Sequence, residues 1–118
     1  MRDESCDLLC LDLARAEGLR RDRRSRRELA SIGAAAAALG DPTRLAIAEA
    51  LLREPALCGC DLAWIIERSP ALVSHHVRVL REAGLLESQR EGKMVMHSLS
   101  ERGRRLLAAL VKDEVAVA

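Results

Sequence analysis

Four cysteines stand in two close pairs, Cys6 with Cys10 and Cys58 with Cys60. Paired thiols either close disulfides or, as thiolates, bind a soft metal ion. The first residues, Met-Arg-Asp-Glu-Ser-Cys, are charged and lack the apolar run of a signal peptide. They point to a cytoplasmic, reducing setting in which ligation is the default. A Cys58–Cys60 disulfide would also close a very tight ring, and strained disulfides are readily reduced. On a helix, Cys6 and Cys10 would share one face, a turn apart. Cys58 and Cys60, two residues apart, would point to nearly opposite sides of a regular helix. They can share an ion only if Cys58 precedes the helix or sits in an irregular first turn, and Pro55 and Gly59 fit such a start. A helix N-terminus also lowers a thiol's pKa and favours the thiolate. Four thiolates would make a sulfur-rich site suited to Cd(II), Pb(II) and Bi(III), and able to accept Zn(II).

A second set of residues suits contact with DNA. Ser69-Pro70 is a strong helix start, with Ser as cap and Pro in the first turn, and Gly84 is the matching stop. Between them Val73, Val77 and Leu80 form a buried stripe, widened by Leu72, Val79 and Ala83. The opposite face carries Ala71, Ser74, His75, Arg78 and Arg81. Ser and His can approach base edges in a major groove, and Arg reads guanine or clamps phosphate. The same face would also serve as an ordinary solvated one. His76 lies beside the apolar stripe and reads as a structural, hydrogen-bonded histidine. After Gly84 the period changes to two, through Leu86, Ser88 and Arg90 and then Val95, His97 and Leu99. Two short strands around Gly92 would carry Arg90 and Lys93 at their tip, as a wing against phosphate or minor groove.

Several elements must position these groups. A short helical pattern over residues 1–18 crowds Leu8, Leu9, Leu11 and Leu13 around the first cysteines, with Gly18 as its stop. Six of the eight residues from Arg20 to Arg27 are Arg, either a solvated linker or helix start, or a segment that contacts phosphate or flanks a dimer. An Ala-rich helix spans Ser25 to Leu39. After the break at Gly40-Asp41-Pro42, a helix opens at Thr43 with Leu45, Ala48, Leu51 and Leu52 as its stripe. A third helix starts near Cys58 to Asp61 and carries Leu62, Ile65 and Ile66. The last runs from about Glu101 to Val111, with Leu106, Leu107, Leu110 and Val111 on one side. The order predicts a mainly α fold with a β-hairpin wing, a winged helix-turn-helix. It divides into an arm, 1–24, with the first cysteine pair and the Arg-rich segment, and a DNA-binding domain, 25–118.

Composition narrows the classes. A chain of 118 residues and 12.9 kDa leaves room for one modest core. With 19 Lys+Arg against 18 Asp+Glu it is no polybasic protein, and 49% apolar residues are too many for a disordered one. No apolar stretch is long enough for a membrane span, so no membrane partner is expected. Phe and Tyr are absent and Trp64 is the single aromatic, which argues against stacking on single-stranded nucleic acid. Double-stranded DNA stays open, because polar and basic groups read it.

Three motifs in order, Leu39-Gly-Asp-Pro-Thr-Arg-Leu-Ala-Ile47, Val73-Ser-His-His-Val-Arg-Val-Leu-Arg-Glu-Ala-Gly-Leu85 and the Arg90-Glu-Gly-Lys93 wing, closely resemble the ArsR/SmtB family of metal-responsive repressors. The resemblance covers roughly residues 28–111. It implies a homodimer that represses a detoxification operon from double-stranded operator DNA and leaves it when metal binds. Leu57-Cys-Gly-Cys-Asp-Leu62 resembles the family's metal-binding box. Arsenic-sensing members usually carry another Cys three positions after the second, where this chain has Ala63, which argues against a purely local As(III) site. The added N-terminal pair resembles the cadmium- and lead-sensing members, in which arm and box cysteines of opposite subunits complete one site. The resemblance therefore implies Cys6, Cys10, Cys58 and Cys60 as ligands, and Ser74, His75, Arg78, Arg81, Arg90 and Lys93 as DNA contacts. Some relatives hold zinc on the last helix with Asp, His and Glu. Here Gly103 stands where the His would be expected and no histidine follows His97, so that site is expected to be absent.

A competing class is a thiol-based metal-buffering or redox-sensing protein without specific DNA binding. An enzyme is not expected: a Cys–His pair could be nucleophilic, but no glycine loop or acid pair accompanies it.

Overall fold

Local signals set most of the helix starts in the computed structural model, which describes residues 10–112. Asp12 caps α1 (Leu13–Asp22), accepting from the Ala14 N–H. Ser25 and Glu28 cap α2 (Arg26–Ala38) reciprocally, each accepting the other's backbone N–H at 3.1 Å. Asp41 caps α3 (Pro42–Arg53), accepting from Arg44 N–H at 3.0 Å, and Pro42 fills the first turn where a missing donor costs nothing. A two-residue strand, β1 (Leu57–Cys58), leads directly into α4 (Gly59–Ile66). Ser69 then caps α5 (Pro70–Glu82) through Leu72 N–H at 3.2 Å.

Beyond Gly84, at φ +77°, the hairpin of β2 (Leu86–Glu91) and β3 (Met94–Leu99) precedes α6 (Glu101–Lys112). Gly92, at φ +64° in the first central position of the hairpin turn, has the backbone that a type II′ turn demands. The three strands form one antiparallel sheet in the order β1-β3-β2. Ile47, Ala48, Leu51, Leu62, Val73, Val77, Leu80, Leu85, Leu86, Leu99 and Leu107 build an aliphatic core beneath α5 and the hairpin. At Gly103 the backbone of α6 approaches the Leu85 carbonyl so closely that a Cβ would collide with it. No side chain fits at that position, whatever its chemistry.

This is the mainly α winged helix-turn-helix expected, with local differences. Gly18 does not stop a helix but lies inside α1, because glycine weakens a helix by about 1 kcal/mol relative to Ala without terminating it. Cys10 lies in the bend before α1, so the one-face helical argument for Cys6 and Cys10 fails at Cys10, and Cys6 lies outside the described residues. Leu72, expected to widen the buried stripe of α5, is exposed, as are Leu106 and Leu110 on α6. Strand β1 was not expected at all. The chain divides into two compact units between Ala30 and Ser31. In the first, α1 has no buried residue. The second holds the core, the sheet and α3 to α6. Among the described residues no helix is long and apolar enough to cross a membrane.

Candidate nucleic-acid interface and thiol site

The buried stripe of α5 fixes what its other face can offer. Val73, His76, Val77 and Leu80 are buried, which turns Ser74, His75, Arg78 and Arg81 to solvent. Ser74, Arg78 and Arg81 follow each other at helical spacing on one line. Arg44 anchors the helix from behind. Its Nε donates to the Ala38 carbonyl at 2.7 Å and its Nη2 to Ala37 at 3.4 Å, closing the end of α2. Its Nη1 lies 3.2 Å from His76 Nδ1. A guanidinium only donates, so His76 Nδ1 accepts and the ring is neutral with its proton on Nε2. Burial drives the His76 pKa below its ordinary value, with nearby Arg44 and His75 adding to the effect against Asp41. His76 is therefore structural, as its place beside the apolar stripe indicates. The role of Arg44 was missed, because its His76 partner lies 32 residues away in sequence.

The wing brings a second basic contribution. Lys93 is exposed in the turn after Gly92, and Arg90 folds its Nε onto the Gly92 carbonyl at 3.3 Å. Among the described residues ion pairs join only Arg20 to Glu17 and Arg21 to Asp22. No carboxylate there neutralises Arg78, Arg81, Arg90 or Lys93, so their charge is available to phosphate.

Between α5 and the wing runs an open groove. Ser74, Arg78 and Arg81 line it from the helix, Lys93, Met94, Val95 and His97 from the hairpin, and Cys58 and Cys60 from the start of α4. The two box cysteines and four of the expected DNA contacts thus share one groove, whereas His75 and Arg90 lie outside its lining. Cys58 is 6% exposed and Cys60 is open to solvent. Cys58 ends β1 in extended backbone and caps α4, its N–H donating to the Asp61 carboxylate at 3.4 Å. This is the placement before the helix proper that a two-residue spacing requires. Two soft donors on one wall suit a thiophilic ion, but they fill only part of a three- or four-coordinate sphere. Among the described residues no three Cys, His, Asp or Glu side chains converge on one metal position. Cys10 is exposed in the other unit.

Buried scaffold, exposed basic face and charged hairpin define a winged helix-turn-helix DNA-binding domain. Residues 41–88 match the model of the arsR family of bacterial regulatory proteins. A cadmium resistance transcriptional regulatory protein CadC homolog of Staphylococcus aureus is 45% identical over 82 residues, covering 67% of this chain and 68% of that one. The cadmium resistance regulator CadC of Listeria innocua is 32% identical over 97 residues, covering 82% and 81%. Among solved structures, a homodimeric winged helix-turn-helix DNA-binding domain from Mycobacterium bovis superposes with a TM-score of 0.67 at 25% identity, covering 77% of this chain and 86% of that one. The chain belongs to the ArsR family of transcriptional regulators.

Proposed function

We propose that the protein is a cytoplasmic, homodimeric repressor that leaves its operator when thiolates capture a soft heavy-metal ion. The observation that carries this reading is the shared groove: Cys58 and Cys60 line the same space as Ser74, Arg78, Arg81 and Lys93. Cd(II) and Pb(II) are the expected inducers, with Bi(III), Zn(II) and As(III) as weaker candidates. A soft divalent ion supplies the chemistry of a cross-link between thiolates. Cys58 and Cys60 would hold it from α4, and Cys10, with Cys6, would complete the sphere from the arm of the other subunit. The cadmium-resistance regulators among its relatives support this choice of metal.

Ser74, His75, Arg78 and Arg81 enter the major groove of double-stranded operator DNA, and Arg90 and Lys93 grip the flanking backbone. Dimerisation uses the apolar face where exposed Ile32, Ala36, Leu106, Ala109 and Leu110 surround the buried Leu39. The homodimeric state of the Mycobacterium bovis domain supports it. Two recognition helices held by such a dimer must match half-sites about one helical turn apart. Tying one subunit's arm to the other's α4 favours a dimer geometry that no longer matches them.

A gel shift on the DNA upstream of the protein's own gene, with and without Cd(II), tests this. Specific retardation abolished by Cd(II) is expected. Tight Cd(II) binding without specific retardation would instead identify a metal buffer.

A further inference from the structure

The sheet connects the box cysteines to the recognition helix. Its order β1-β3-β2 aligns three residues in one cross-strand row, with Leu57 opposite His97 and His97 opposite Ser88. Hydrogen bonds extend the row. Ser88 Oγ lies 2.8 Å from His97 Nδ1, and Arg81 Nη1 donates to Ser88 Oγ at 3.1 Å. Arg81 stands in the last turn of α5, on the line of Ser74 and Arg78. At the other end, Leu57 precedes Cys58 in a strand of only two residues, and Cys58 is both the end of that strand and the cap of α4. A displacement of Cys58 therefore acts at once on the pairing of β1 with His97 and Met96. His97 is 8% exposed, so water cannot readily replace a lost partner.

We propose that the row Leu57–His97–Ser88, closed onto Arg81, transmits ligation at Cys58 to the recognition helix, with Ser88 and His97 as positioning residues. The inference rests on the metal-released reading of the protein and says how its two ends communicate. Arg81 then does more than meet DNA. Its guanidinium reports the position of β3 to α5, and a shift of β1 against β3 changes how α5 is held against the wing. Spatial alignment suggests such a route, and a measured coupling decides it.

The test uses the full-length protein and compares wild type, Ser88→Ala and His97→Gln. Operator affinity is read by fluorescence anisotropy without Cd(II) and with saturating Cd(II), and Cd(II) affinity by thiolate-to-metal absorbance. Effector couplings in regulators span about 5- to 150-fold, so the Cd(II)-induced loss of operator affinity in wild type should fall in that range. In Ser88→Ala, Cd(II) affinity should stay within about threefold of wild type while the Cd(II)-induced loss of operator affinity shrinks about tenfold or to nothing. Ser88 is half-exposed on a hairpin strand, so this variant decides the matter even if His97→Gln fails to fold. A purely structural role would lower operator affinity equally in both states and leave their ratio unchanged. A wild-type ratio in Ser88→Ala would overturn the inference alone. Wild-type protein that Cd(II) does not release would overturn the proposed function as well.

Discussion

The two cysteine-bearing regions are built in opposite ways. At the box, Cys58 is buried, its backbone fixed by a strand on one side and a helix on the other. On the arm, Cys10 is exposed in a bend, and the helix after it buries no residue within its own unit. In the proposed metal site the first region would bring its sulfurs on a fixed backbone, so ligation there would cost little ordering. To contribute a thiolate, Cys10 would give up side-chain and local backbone freedom, about 1–2 kcal/mol per backbone residue fixed. Equal ligand chemistry therefore does not mean equal weight.

The largest expected effect follows from that inequality. Cys58→Ser and Cys60→Ser should each give a protein that binds operator normally and ignores Cd(II), measured by gel shift. Cys10→Ser should weaken the response, and Cys6→Ser should weaken it least. Release of Cys58→Ser from DNA by Cd(II) would erase the distinction between box and arm.

Stability should divide along the same line. Leu80 is fully buried on the inner face of α5, and Leu80→Ala should destabilise by about 2–5 kcal/mol in urea unfolding. Leu19, 68% exposed on α1, should change stability by no more than about 0.5 kcal/mol when replaced by Ala.

The pH response sharpens the contrast. Burial lowers the His76 and His97 pKa values below 6.5, and neighbouring Arg81 lowers His97 further. Both rings are neutral in the fold, and the unfolded chain binds protons first as pH falls. Their contribution is full above about 6.5 and is lost as pH falls through the folded values. The urea midpoint at pH 5.5 should lie below that at pH 7.5, and the drop should be smaller in His97→Gln. In the first unit, Glu28 is held low by the Ser25 N–H and then by its hydroxyl. Any loss there comes only in the carboxylate range, below 4.5.

A smaller effect concerns the turn between α4 and α5. Glu67 has φ +55°, left-handed backbone where helices commonly place glycine. Glu67→Gly should raise stability by about 0.5–1 kcal/mol, read as a higher urea midpoint.

Much of the scaffold was legible because its signals are local. Ser69-Pro70, Asp41-Pro42, Gly84 and Gly92 each mark a boundary through their own backbone or capping chemistry. The exposed line of Ser74, Arg78 and Arg81 followed from helical period. Strand β1 was not legible, since two residues carry no periodicity and their partner lies near His97, 40 residues on in sequence. The Arg44–His76 contact was hidden by its separation of 32 residues, and the Arg81–Ser88–His97 contacts because they depend on the hairpin register and on how α5 packs against it. The arm misled in the other direction: its i, i+4 cysteines suggested a helix, but Asp12 caps α1 only after Cys10.

The central claim is that thiolate ligation and operator binding oppose each other through one groove. Cd(II) titrations followed by thiolate-to-metal absorbance, on free protein and on the protein–operator complex, test it most directly. Linkage requires operator DNA to weaken Cd(II) binding by the same factor that Cd(II) weakens operator binding. Equal Cd(II) affinity with and without operator would contradict it.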